Sequence, residues 1–260
     1  HGKKRLNDLA QNFDLVLSIY PFESELLEKH LIPSIYIGNP LKENMNSFST
    51  QGKFFELIKL NEQESLIALF PGSRLQEIRK HIPTQLEIAV KLKTKYPHLI
   101  FALSCAHSDL LPTIEKYVQT SPLRLNKDIW IIPSTYTHEL MKNCRLALSK
   151  SGTVTLELAL HKTPTVVHYQ ASFLNYFIAK HIIKLRLSYF CIVNILTNQR
   201  VFHEFIGKEA YITQIYKEMD QLLCDPQSYD KVIADCQMIR DVLGEKSSHL
   251  EAAKAIEALF

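Results

Sequence analysis

The stretch Leu148-Ser149-Lys150-Ser151-Gly152-Thr153-Val154-Thr155-Leu156-Glu157 is where residue types and spacing first suggest chemistry. An apolar strand end, Arg145 to Leu148, runs into a small polar turn. An apolar helix with Leu156, Leu158, Ala159 and Leu160 follows. Ser151 is a favourable N-cap, and Gly152 lets another group approach the backbone. The first turn of such a helix offers unpaired N–H groups and the positive end of the dipole, which suits phosphate. Glu157, four residues after Thr153, shares its helix face and lies about one and a half turns below it. From there a carboxylate can accept hydrogen bonds from ribose hydroxyls. Taken alone, the stretch is also that of an ordinary capped helix with one satisfied glutamate, and by itself it favours that reading.

A second turn, Pro71-Gly72-Ser73-Arg74, follows the apolar run Leu66 to Phe70. Arg74 falls in the first turn of a helix, where a cation opposes the dipole, and a nearby diphosphate would relieve the conflict. Ser73 and Gln76 fit an S-x-x-Q capping box, and Glu77 is in reach of Arg74, so the turn also has an explanation without ligand. Its position directly after a buried strand favours the ligand. Asn194 and Glu204 could reach a sugar or phosphate, although each alone reads as a loop or capping residue. His168 and His203 read as structural or surface histidines. Hydrolase and Walker motifs (G-x-S-x-G, HExxH, the Walker lysine) do not occur.

The elements that must position these turns are legible. From Ser65 onward, strands and helices alternate: strands at Leu66–Phe70, Leu99–Leu103, Ile129–Ile132, Leu146 and Pro164–Tyr169, with helices between them. The longest helix reaches about Tyr96 and carries Pro83, which is expected to kink it. This is the pattern of a doubly wound parallel sheet in an α/β protein, and both turns then lie at the carboxyl edge of the strands, where ligands bind. After Leu196 the chain reads as helical throughout, Val201–Ile206 included. Before Ser65, a helical start is followed by strands at Asp14–Ile19 and Pro33–Ile37 and a helix at Phe22–His30. The polar stretch Leu41–Gly52 reads as a linker.

Of 260 residues, 46% are hydrophobic and 22% charged, as in an ordinary globular protein. With a net charge of +3 and no basic block, nucleic acid is not an expected partner. The five cysteines are scattered without metal-ligand spacing, which points to a reducing compartment and no structural zinc. No apolar run of about eighteen residues predicts a membrane span. Phe173 to Arg186 is instead aromatic, basic and amphipathic, which suits either an anionic membrane surface or a helix covering the sheet. The chain starts at His1 rather than Met, which suggests a processed or truncated chain.

These residues together resemble a known family. Leu69-Phe70-Pro71-Gly72-Ser73-Arg74 with Glu77-Ile78 resembles the Leu-Pro-Gly-Ser-Arg motif of lipid-A-disaccharide synthases. Ser151-Gly152-Thr153-Val154-Thr155-Leu156-Glu157 resembles their Ser-Gly-Thr-x-x-Leu-Glu helix. Pro164 to Tyr169, Ile178-Ala179-Lys180, Asn194-Ile195-Leu196 and the Val16–Gly38 region resemble further segments in the same order. The resemblance implies a glycosyltransferase-B fold of two Rossmann-like domains. Residues 1–50 would be a remnant of the acceptor domain, and residues 51–260 the nucleotide-sugar (donor) domain with a helical C-terminus. The implied reaction is inverting transfer of 2,3-diacylglucosamine from its UDP derivative to 2,3-diacylglucosamine 1-phosphate, with release of UDP.

By the same resemblance Ser151, Gly152 and Thr153 would hold the diphosphate and Glu157 the ribose. Ser73 and Arg74 would meet the phosphate or nucleotide, and Asn194 and Glu204 would line the donor site. The partners implied are a UDP-sugar donor, a lipid acceptor and an anionic membrane surface, at the cytoplasmic face of the inner membrane. No metal or cofactor is implied, and a homo-oligomer is left open. The catalytic base would lie upstream of His1, so the isolated chain is expected to be inactive. Asn39 and Gly207 replace the His and Gln usual at their positions. Two other readings share the scaffold: a UDP-N-acetylglucosamine epimerase or related enzyme, and a non-catalytic sugar-nucleotide or membrane-binding module.

Overall fold

Short apolar runs followed by turns and amphipathic helices build the sheet of this protein. The computed structural model describes residues 2–46, 54–60, 64–170, 189–207 and 212–260. The main sheet has six strands: β3 (Ser65–Phe70), β4 (Leu99–Cys105), β5 (Ile129–Pro133), β6 (Leu146–Lys150), β7 (Thr165–Tyr169) and β8 (Glu204–Ile206). β1 (Val16–Ser18) and β2 (Ser34–Tyr36) form a separate parallel pair. The large sheet runs β5-β4-β3-β6-β7-β8 and is parallel throughout. All seven residues of β4 are buried, because helices cover both faces.

The period of two sorts the core. On β3, Ile67 and Leu69 face one way and join Ile78, Ile82 and Ala89 of α5 (Leu75–Lys95). Leu66, Ala68 and Phe70 face the other way and meet Phe54, Ile58, Leu140 and Met141. The first face is also closed by Ile215 and Met219 of the helix Ile212–Cys224. The long helix α5 runs on through Pro83. Proline there supplies no N–H to the Arg79 carbonyl, which instead accepts a hydrogen bond from Tyr117 Oη at 3.5 Å.

Two expectations are corrected here. The stretch read as a linker begins with a helix, Pro40–Asn46, and its residues 47–53 lie outside the described residues. Asn39 Oδ1 caps that helix through the amides of Leu41 and Lys42, at 3.1 and 3.4 Å. The buried Lys42 ammonium donates to the carbonyls of Arg240 and Gly244 and to Glu245 Oε1. Glu43 accepts from the Ser247 hydroxyl at 2.6 Å and from the Ser248 amide at 2.9 Å, so it caps the last helix, Ser248–Glu257. Those two serines, Ser247 first, hold the Glu43 carboxyl down to about 2. Tertiary contacts thus override the weak helix propensity of an asparagine-rich stretch.

The second correction concerns Val201–Ile206, read as helical. Its end, Glu204–Ile206, is the edge strand β8, paired with Val167–Tyr169 of β7. Phe202 just before it is fully buried. The basic aromatic stretch Phe173 to Arg186 lies outside the described residues. Among the described residues, no helix is long and apolar enough to cross a membrane.

Candidate functional site

Strand order places the site. From β3 the chain moves outward to β4 and β5, then returns to β6 on the other side of β3 and continues to β7 and β8. The connections leaving β3 and β6 therefore diverge, and a crevice opens above their carboxyl ends. The two strands are in register there, with Phe70 opposite Ser149. The turns 71–74 and 150–153 emerge side by side at one rim of the sheet. All of their residues except Ser151 line a cleft of about 450 Å3, together with Glu77, Glu157 and the strand-end residues Ser104 and Ser134.

Glu77 is the hub of the first turn. Its Oε2 accepts the Ser73 amide at 3.0 Å. The capping box expected from Ser73 and Gln76 is not what holds this amide, since Glu77 takes it instead. Oε1 accepts from Lys150 Nζ at 3.0 Å and from Arg74 Nη1 at 3.4 Å. Arg74 is 81% exposed, so its pairing with Glu77 leaves the guanidinium largely available. Burial works against the charge on Glu77, but Lys150, the Ser73 amide and Arg74 outweigh it and hold the carboxyl below its usual range. The carboxylate can lie this close because position 72 is glycine, at φ +121°, against which the Glu77 side chain packs.

The second turn departs from expectation in detail. Ser151 does not cap the helix. Its amide donates to the His168 carbonyl at 3.1 Å and continues the β6–β7 ladder. The helix begins only at Val154, with Thr153 as N-cap residue and no side-chain cap. At seven residues, Val154–Leu160, it contributes a smaller dipole than the sequence suggests. Among the described residues, the amides of Gly152, Thr153 and Val154 have no partner. The anion-binding capacity of this rim therefore rests on three amides and two cations. Glu157 opens into the same cleft, where its carboxylate accepts no hydrogen bond among the described residues. Burial pushes it up from its usual range, opposed by His138.

Beneath the rim, Gln85 Nε2 donates to the Phe70 and Leu148 carbonyls at 3.1 and 3.3 Å, and it lies 3.0 Å from His168 Nε2. The amide thus ties β3 to β6 where they begin to part. Burial pushes His168 down to about 3, so it is a neutral structural histidine, as the sequence suggests.

Asn194 and Glu204 are brought together, but on each other rather than on this cleft. Asn194 is fully buried and bonds Glu204 Oε1 at 3.0 Å, the Phe202 carbonyl at 2.7 Å and the amides of Val201 and Phe202 at 2.9 Å each. The other oxygen of Glu204 accepts the amides of Phe190 and Cys191 and so caps the helix Ile192–Thr197. Sequence reasoning missed Lys150 and Glu77 as site residues. The signal available was a lysine and a glutamate in the two motif strings, Lys150 two positions before Gly152 and Glu77 five positions after Gly72.

A parallel sheet of this order, with two turns meeting over a cleft at its switch point, is a Rossmann-like fold. The chain belongs to the lipid-A-disaccharide synthetase family, whose model matches residues 1–258. It is 32% identical over 242 residues to the lipid-A-disaccharide synthase of Chlamydia pneumoniae, covering 92% of this chain and 39% of that protein. The corresponding enzyme of Geobacter metallireducens is 31% identical over 92% of this chain and 61% of its own length. The chain thus spans about two fifths to three fifths of the curated relatives it matches. Among solved structures, the UDP-GlcNAc 2-epimerase of Neisseria meningitidis bound to UDP-GlcNAc is similar in fold, with a TM-score of 0.63 at 16% identity. That match covers 93% of this chain and 61% of that one.

Proposed function

We propose that this chain is the nucleotide-sugar half of a lipid-A-disaccharide synthase, which transfers 2,3-diacylglucosamine from UDP to 2,3-diacylglucosamine 1-phosphate. The observation that carries this reading is the meeting of the two turns in one cleft, bridged by Lys150 and Glu77 at 3.0 Å. The diphosphate lies against the amides of Gly152 and Thr153, near the Ser73 hydroxyl and Arg74, while the Ser151 amide ties that turn to β7. The Glu157 carboxylate, which opens into the cleft, accepts hydrogen bonds from the ribose. The 6-hydroxyl of the acceptor attacks the anomeric carbon in line. The carbon–oxygen bond to the diphosphate breaks, its electron pair leaves with UDP, and the hydroxyl proton passes to a base in the acceptor half. Amides and cations at the rim stabilise the departing charge. In this reading residues 1–50 end the acceptor domain, residues 51–260 form the donor domain, and Asn194 and Glu204 shape the donor site from behind.

Calorimetry with UDP tests the reading. Glu157→Ala is expected to weaken UDP about tenfold or more, the loss of hydrogen bonds to a charged acceptor. That penalty should vanish with 2′,3′-dideoxy-UDP. A folded chain that binds no UDP would end the nucleotide reading, and an equal penalty with the dideoxy ligand would remove Glu157 from the ribose. The transfer itself is tested in the full-length protein with the UDP-diacylglucosamine donor. The same reading puts the protein on the cytoplasmic face of the inner membrane, supported by the basic aromatic pattern of Phe173 to Arg186. Binding to anionic vesicles should fall as salt rises; salt-insensitive binding would sink that part.

A further inference from the structure

One ion pair joins the two turns. Lys150 ends β6, and its ammonium meets Glu77 with both side chains mostly buried, 16% and 17% exposed. Stability does not account for this pair. The desolvation of two mostly buried charges offsets much of their attraction, and both groups line a cleft that also holds amides without a partner among the described residues. The partners differ in freedom. Glu77 is fixed by helix α5, by the Ser73 amide and by its packing on Gly72. Lys150 ends in a flexible stem with three rotatable donors. Its Nζ also lies 3.5 Å from the point where a Cβ on Gly152 would stand, so it already borders the second turn.

We propose that Lys150 is a diphosphate-binding residue held in reserve by Glu77. Its ammonium bonds Glu77 in the free protein and passes to the phosphate oxygens when a nucleoside diphosphate enters the cleft. Glu77 keeps the Ser73 amide throughout and so preserves the turn while its cation leaves. The inference rests on the nucleotide-sugar reading and deepens it in two ways. It assigns the phosphates a charged side chain outside the Ser-Gly-Thr turn. It also makes Glu77 a competitor of the ligand for that charge, although Glu77 is what keeps the charge in place. Discrimination follows: the ammonium has no work to do for a nucleoside without phosphate.

The test is calorimetry of the chain with UDP, UMP and uridine. Lys150→Met is expected to weaken UDP about tenfold, the loss of one charge-assisted hydrogen bond, and to leave uridine unchanged. Lys150→Arg should keep most of the affinity. Glu77→Gln still accepts the Ser73 amide but no longer competes by charge, so it should tighten UDP, and that gain should be absent in the Lys150→Met background. Should Lys150→Met fail to fold, Lys150→Gln, which keeps a donor for Glu77 without the charge, carries the same expectation. UDP affinity in Lys150→Met, or in Lys150→Gln where that variant replaces it, within about twofold of the wild type would overturn the inference, as would loss of UDP affinity in Glu77→Gln. Either result leaves the nucleotide reading standing. A wild-type chain that binds no UDP overturns both.

Discussion

Gly72→Ala is expected to lower the melting temperature and abolish measurable UDP binding, whereas Gly152→Ala leaves the melting temperature unchanged and weakens UDP alone. The two glycines sit on the two turns of one cleft, yet the protein needs them for different reasons. At φ +121°, position 72 is in a region that side chains rarely adopt, which costs about 1–3 kcal/mol for alanine. A Cβ there would also fall 2.5 Å from Glu77 Oε2 and 2.7 Å from Glu77 Cβ. The Cβ contact cannot be relieved by a flexible side-chain end, so the turn must move off α5. Glu77 then loses the Ser73 amide, and Lys150 loses the partner that keeps it at the rim. At about 2–4 °C per kcal/mol for a chain of this size, the melting temperature should fall by roughly 5–10 °C. Position 152 is different. Its φ lies outside the left-handed region, and among the described residues an added methyl would meet only Lys150 Nζ, at 3.5 Å. If glycine is needed there, a ligand needs it. Equal melting temperatures for Gly72→Ala and the wild type would refute the geometry of the first turn. UDP binding unaffected by Gly152→Ala would remove the diphosphate from the second.

The contrast also shows what the sequence could carry. Runs such as Leu66–Phe70 were legible because a strand buried on both faces must be apolar throughout, and the strand–helix alternation then placed both turns at one rim. Gly72 was conspicuous for its position, but its neighbour Glu77 was visible only as a partner for Arg74. The Glu77–Lys150 pair joins residues 73 positions apart. A lysine in a polar turn looks solvated until that partner is known. The same holds for Lys42 and Glu43, whose partners lie about two hundred residues along the chain, at Arg240, Gly244, Glu245, Ser247 and Ser248. Local propensity read Leu41–Gly52 as linker because, beyond the Asn39 cap, the contacts that hold Pro40–Asn46 as a helix are remote. Ser151 was misread for a related reason. A serine before a helix is a cap by local rules, but the β6–β7 ladder reaches Ser151, so the helix starts only at Val154 and Thr153 stands at the N-cap position. Glu204–Ile206 is too short a strand to leave a period in the sequence.

Asn194→Leu is expected to destabilise the chain more than any single change at the cleft, and to leave UDP affinity nearly untouched well below the transition. The side chain is fully buried and makes four hydrogen bonds. Leucine fills the space but strands the buried amide and carbonyl of Phe202, while the Val201 amide keeps only the Gln199 carbonyl at 3.1 Å. Each stranded group costs about 1–3 kcal/mol, so a loss of roughly 2–6 kcal/mol follows, or on the order of 10 °C in melting temperature. Asn194→Asp separates the terms. It keeps an acceptor for the two amides but sets a second carboxylate beside Glu204, whose Oε1 now accepts from Asn194 at 3.0 Å. Repulsion raises the folded-state pKa of the new carboxyl above its unfolded value near about 4. The deficit of Asn194→Asp is therefore largest at neutral pH and shrinks as pH falls toward that raised pKa, where the protonated acid can again donate. A ligand-contacting asparagine predicts the reverse: a melting temperature close to wild type, with UDP affinity lost. Thermal melts of both variants at pH 7 and pH 5, beside UDP titrations at low temperature, decide whether Asn194 holds the loop behind α8, the helix Val154–Leu160, or reaches the donor itself.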